Sequence, residues 1–144
     1  NSLSLAAYEV AGLDYASDAR GTHPFYPRAN GTVFKTVQIP TTLPTLDELL
    51  GRPEYPESKL TDHYLALLHP DRPNVLTAHA ELEGMAKFNW FRTFLVALKN
   101  RGVEIVPTAT IAAELQQNPG NVPVCDLVDG EVDGRSGTMA VQLC

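Results

Sequence analysis

Cysteine is scarce: two among 144 residues, in neither a CxxC nor a Cys/His spacing, which excludes a disulfide-dense scaffold and a zinc finger. Cys125 and Cys144 both lie near the C-terminus and read most simply as free thiols of a reducing compartment, a bridge between them being the less supported alternative. Long apolar runs are missing too. None approaches the roughly 20 residues that cross a bilayer, and the first residues lack the basic flank, apolar core and small-residue cleavage site of a secretory leader. The chain is therefore expected to be soluble and cytoplasmic, though its parent could still touch a membrane. Positive charge is short: 11 Lys and Arg against 17 Asp and Glu give a net charge of -6. The basic residues are scattered, so no phosphate-neutralising face is available and a nucleic-acid partner is excluded.

What is present suits one soluble α/β domain, with 44% hydrophobic and 19% charged residues. "SLSLAAYEVAG" has helical spacing, with Ser2 or Ser4 as cap and Gly12 as stop. "LDYAS" is a short extended candidate, "HPFYPRANGT" a loop punctuated by two prolines and Asn-Gly, and "KTVQIP" a strand stopped by Pro40. In "TLDELLG", Thr45 and Glu48 have the spacing of a capping box. "ESKLTDHYLALLHP" predicts a helix burying Leu60, Tyr64, Leu67 and Leu68, and "KFNWFRTFLVALKNRG" one burying Phe88, Phe91, Leu95 and Leu98. "NVLTAH" and "VEIVP" read as buried strands and "TATIAAELQQ" as a further helix. Alternating strands and helices predict a parallel sheet. From about Asn118 the chain turns rich in Gly, Pro, Asn and Asp, which divides it into residues 1–117 and an extended tail or hairpin, 118–144, wrapping them.

Two constellations carry candidate chemistry. In "NVLTAHAELEG", His79 ends a hydrophobic strand, where parallel α/β folds gather reactive groups. An extended path from Leu76 to Glu83 would set His79, Glu81 and Glu83 on one side, and a carboxylate beside an imidazole favours the protonated, proton-donating ring. The plain alternative is a surface loop with solvated acids and a histidine bonded to backbone. In "YASDARGTHPFYP", Asp18 and Arg20 follow a short strand, and the guanidinium fork suits a phosphate or carboxylate held against Phe25 and Tyr26. A turn-capping Asp18 paired with Arg20 is the plain reading there.

"YASDARGTHPFYP", "VQIPTTLPTLDELLGR", "VLTAHAELEGMAKFNWFRTFLVALKNRGVEIVP" and "DGEVDGRSG" together resemble the C-terminal half of the formamido-arabinose-phosphoundecaprenol deformylases, which belong to the polysaccharide deacetylases with a NodB homology domain. The resemblance implies the C-terminal half of a seven-stranded (β/α) barrel and a metal-dependent C–N hydrolase that deformylates, or deacetylates, a lipid-phosphate-linked amino sugar, as in cationic modification of lipid A. "LTAH" resembles the Leu-x-x-His motif, which makes His79 the general acid and Leu76 its backing. Asp18, Arg20, His23 and Glu81 are then expected on the substrate side. The family's metal ligands, an Asp and a His-x-x-x-His pair, have no counterpart here, since His63 and His69 are six apart. Zinc or a similar divalent ion is therefore expected in the complete enzyme and not tightly on this chain, whose strands would be completed by the N-terminal half or a second copy. A noncatalytic sugar- or phosphate-binding remnant, and a relative acting on another N-acyl sugar or small amide, remain open.

Overall fold

The computed structural model describes residues 1–144 as a mixed α/β protein of two compact units. The first comprises residues 1–42 and 106–144, the second residues 43–105. No closed barrel is formed.

The first unit opens with helix α1, Ser2–Val10. Its cap is Asn1 rather than Ser2 or Ser4, because the Asn1 amide oxygen accepts from the Ser4 N–H at 3.1 Å. Strand β1, Tyr15–Ala16, follows, then β2, Tyr26–Ala29, β3, Thr32–Val33, and β4, Val37–Gln38. The stretch expected to be a loop is thus a hairpin. Asn30 and Gly31 take φ of 51° and 77°, the paired positive values that suit a two-residue connection between twisted strands. Helix α5, Thr108–Gln117, leads to β5, Val124–Glu131, and β6, Thr138–Leu143. β1 and β4 pair in parallel, while the larger sheet runs β3-β2-β5-β6, with β2 and β5 parallel and the other pairs antiparallel.

Residues of the tail therefore supply half of this sheet, through a hairpin. Its register sets Asp126 against Leu143, which places Cys125 across from Cys144, and the two form a disulfide. The expectation of free thiols is overturned: a period-2 ladder fixes facing pairs whose indices have one sum, and both cysteines fall on such a pair. Cys125 is buried with Ala19 and Phe25, and Leu127 and Ala140 pack against them. On the exposed side Arg28 makes two hydrogen bonds to the Asp126 carboxylate, at 2.6 and 2.9 Å. The guanidinium holds that carboxyl below its ordinary value and is itself pushed up.

The second unit is helical. Helix α2, Leu46–Leu49, begins as the capping-box spacing predicts, the Thr45 N–H donating to Glu48 Oε2 at 3.0 Å. Helix α3, Leu60–Leu67, buries Leu60, Tyr64 and Leu65. Leu67 is exposed, contrary to the expected stripe, because the core-facing rows here run 60, 64 and 65. Helix α4, Phe88–Asn100, buries Phe94 and Leu98, with Trp90, Phe91 and Leu95 packed beside them. Phe88, expected on that stripe, is exposed at the helix start. Trp90 stacks on Phe94 at 5.6 Å, Tyr64 lies 5.3 Å from Phe94, and the Tyr64 hydroxyl donates to the Pro44 carbonyl at 3.0 Å. Such ring pairs add about 0.5–1.5 kcal/mol each beyond area burial.

Neither "NVLTAH" nor "VEIVP" is a strand. Leu76 and Val75 are half-buried, and the Val75 carbonyl accepts from the Leu43 N–H at 3.1 Å, yet no ladder develops. Ile105 and Val106 are exposed. Apolar run and β-branching resemble a strand in sequence, but a strand needs a neighbour to take its backbone groups.

Candidate functional site

His79 ends the irregular segment 73–79, immediately before a turn. The chain does not stay extended to Glu83: the N–H groups of Leu82 and Glu83 both donate to the His79 carbonyl, at 3.0 and 2.9 Å, and a π-type turn occupies Leu82–Ala86. The period-2 grouping of His79, Glu81 and Glu83 is thereby lost. Glu83 instead folds back, and its Oε2 accepts the His79 N–H at 2.7 Å. That carboxylate is 1% exposed, so it serves the backbone at the turn and not the imidazole. The ring meets a different acid, Asp47 in the first turn of α2, whose Oδ1 stands 3.7 Å from Nδ1. A protonated ring would form an ion pair at that distance. The imidazole keeps 38% of its surface in contact with solvent, so it is reachable while its backbone is fixed. Leu76 packs against the apolar core of this unit, and Glu81 is exposed, its carbonyl accepting from Ala86 N–H at 3.2 Å.

Asp18, Arg20 and His23 belong to the other unit. Asp18 is exposed and accepts a 2.5 Å hydrogen bond from the Tyr8 hydroxyl, so the paired Asp18–Arg20 turn gives way to an α1 contact. The Tyr8 phenol is raised, first by this hydrogen bond, then by its own burial and by the Asp18 charge. Arg20 bridges two backbones in parallel, those of Thr41 and Val141: its N–H donates to the Ala140 carbonyl at 2.9 Å and its carbonyl accepts from Gln142 N–H at 2.8 Å. Its half-buried side chain is thus carried by a doubly anchored backbone. Phe25, expected to face a ligand, is fully buried, while Tyr26 is half-buried.

His23 sits in a network built by Gln142. The Gln142 Oε1 accepts from Thr22 N–H at 2.7 Å, and its Nε2 donates to the His23 carbonyl at 3.1 Å. Next to it Gly21 has no room for a side chain, since a Cβ would lie 2.6 Å from Gln142 Oε1. A metal of the implied family has no fitting ligand set here. The one gathering of ligand-type side chains, His23 with Cys125 and Cys144, has both sulfurs in the disulfide and offers no thiolate.

Three residues missed in the sequence complete these surroundings: Asp47, Tyr8 and Gln142. Asp47 carried a faint signal, because a capping box uses Glu48 and leaves the first acid of "TLDE" facing outward. Tyr8 and Gln142 carried none, being distant in sequence from what they touch.

No protein-family model matches the chain. The probable 4-deoxy-4-formamido-L-arabinose-phosphoundecaprenol deformylase ArnD of Shewanella sediminis is 34% identical over 131 residues, 91% of this chain and 41% of that protein. The protein of the same description from Wigglesworthia glossinidia brevipalpis is 30% identical over 132 residues, 90% of this chain and 44% of its own length. The chain spans about two fifths of the length of these curated relatives. It is a distant homologue of the formamido-arabinose-phosphoundecaprenol deformylases, which are NodB-family polysaccharide deacetylases.

Proposed function

We propose that the chain is part of a hydrolase that removes a formyl, or acetyl, group from an amino sugar, with His79 protonating the departing amine. The observation that carries this reading is the homology to deformylases over nine tenths of the chain, with "LTAH" ending in a reachable imidazole beside Asp47.

Amide cleavage stalls unless the nitrogen gains a proton as the C–N bond breaks, because an amide anion is far too basic to leave. An imidazolium supplies that proton near neutral pH, typically for a 10²–10⁴-fold gain. Glu83 fixes the backbone that carries the ring, and Asp47 stands beside Nδ1, leaving Nε2 as the proton-delivering atom. Activation of water belongs in this reading to the remainder of the protein, where a divalent ion such as zinc is expected. Leu76 backs the histidine. Asp18, Arg20, His23 and Glu81 are each assigned a substrate contact in this reading, the Arg20 fork suited to a sugar-linked phosphate.

The architecture that fits is half of a NodB-type barrel over residues 1–117 with 118–144 as an added tail, completed by an N-terminal half or a second copy of the chain. An undecaprenyl-phosphate-linked formamido-arabinose, the substrate in the relatives' name, would bring the protein to the cytoplasmic face of the inner membrane. No helix is long and apolar enough to cross that membrane. In a reducing cytoplasm the Cys125–Cys144 bridge would open. The short span relative to the deformylases equally favours a second reading, a remnant that binds sugar or phosphate without turnover.

The test mixes this chain with the N-terminal portion found in the deformylases and follows formate and acetate release from formamido- and N-acetyl-sugars. Formate release by the mixture and by neither part alone is expected. Binding without release supports the remnant, and acetate release alone moves the substrate to another N-acyl sugar.

A further inference from the structure

We propose that His23, Cys125 and Cys144 form a soft-metal site that the disulfide keeps closed and reduction opens. One ligand atom from each of the three lies within 4.8 Å of the others, and His23 Nε2 is 3.7 Å from Cys144 Sγ. In a tetrahedral zinc site with Zn–S of about 2.3 Å and Zn–N of about 2.0 Å, neighbouring N and S ligands are about 3.5 Å apart. The His23–Cys144 spacing already present is close to that.

The surroundings prepare the imidazole for ligation. Thr22 Oγ1 is within 3.3 Å of Gln142 Oε1, an acceptor, so the hydroxyl proton points there. The hydroxyl lone pair then accepts from His23 Nδ1–H, 2.9 Å away, which leaves Nε2 bare and facing the sulfurs. Fixing a ring through its second nitrogen is what outer hydrogen bonds do for ligating histidines. Gln142 also reaches the other side of the group, its Nε2 lying 3.5 Å from Cys125 Sγ, where an amide N–H can donate to a thiolate. The backbone beneath is held by strand pairing on both cysteines' flanks.

The chemistry balances with a dithiol as reductant. Two electrons enter the S–S bond, two protons pass from the dithiol to Cys125 and Cys144, and the reductant leaves as its own disulfide. A divalent ion then displaces both thiol protons and is neutralised by two thiolates, which a site with buried Cys125 tolerates. Two sulfurs and one nitrogen select zinc over magnesium or calcium, and the fourth tetrahedral position stays open to water. This inference is independent of the hydrolase reading and uses none of its residues except His23.

The experiment titrates Co²⁺ into the 144-residue chain, bridged or reduced by a phosphine, and reads thiolate-to-cobalt absorption together with near-ultraviolet dichroism for folding. One Co²⁺ per reduced chain with a thiolate band, displaced by Zn²⁺, and no band in the bridged chain are expected. His23→Ala should raise the Kd for Co²⁺ at least tenfold while keeping the near-ultraviolet signal. Equal binding by bridged and reduced chains, no thiolate band after reduction, an unchanged Kd in His23→Ala, or a reduced chain that stays unfolded with Co²⁺ would each overturn the site.

Discussion

The two units reach order by opposite routes. Residues 43–105 rely on side chains: Leu60, Tyr64, Phe94 and Leu98 are shut into one cluster, and every helix in it was announced by a local period or cap. Residues 1–42 with 106–144 rely on backbone: a small buried group of Ala19, Phe25 and Cys125 lies under a sheet whose central partners, β2 and β5, are about a hundred residues apart in sequence. Helical order is local and cheap in chain entropy, whereas non-local pairing must first close long loops. The comparison predicts that residues 43–105 are brittle toward loss of atoms, and residues 1–42 with 106–144 toward loss of covalent or hydrogen-bonded closure.

The largest effect should come from Tyr64→Ala. Removing a fully buried ring that touches Trp90 and Phe94 and bonds to Pro44 should cost about 3–5 kcal/mol. Denaturant unfolding measures it. A loss below about 1 kcal/mol, on the scale of a surface substitution, would show that the cluster does not hold its unit.

Next is reduction of the disulfide without metal. The bridge closes a 19-residue separation and should contribute about 3 kcal/mol by chain entropy. Amide exchange should quicken in β5, β6 and their partner β2 while the amides of α3 and α4 stay protected. Uniform quickening throughout the chain would erase the distinction between the units.

The smallest is Glu83→Ala, which strips the acceptor from the His79 N–H and should cost about 1–3 kcal/mol, with Glu83→Gln losing less because an amide oxygen still accepts. If Gln and Ala cost the same, the hydrogen bond is not what matters at the turn.

These contrasts also explain what could be read in advance. The capping box at Thr45 and Glu48 and helix α4 were visible because each is a short-range pattern, whereas the tail was left between an extended segment and a hairpin. The bridge was not, since its geometry follows from a register that only the finished sheet defines. "NVLTAH" was misread as a strand for the converse reason: its composition is a strand's, while the neighbour that would make it one is not in the sequence pattern. At the candidate site, His79 and Leu76 were singled out through the "LTAH" resemblance. Asp47 and the reversal of Glu83 were not, because both depend on a turn that opens at Ala80, four residues ahead of Gly84.

The central claim is that His79 delivers a proton to a leaving amine, and one measurement addresses it with little confusion from binding or folding. In a protein completed by the N-terminal portion, turnover of His79→Ala is compared on two formamides, one releasing an alkylamine and one an aniline with electron-withdrawing groups. Loss of a general acid should slow the first by about a hundredfold or more. The second, whose amine leaves with little help, should slow by no more than a few-fold. Equal losses on both substrates, or activity on the first within a few-fold of the parent, would contradict the role of His79.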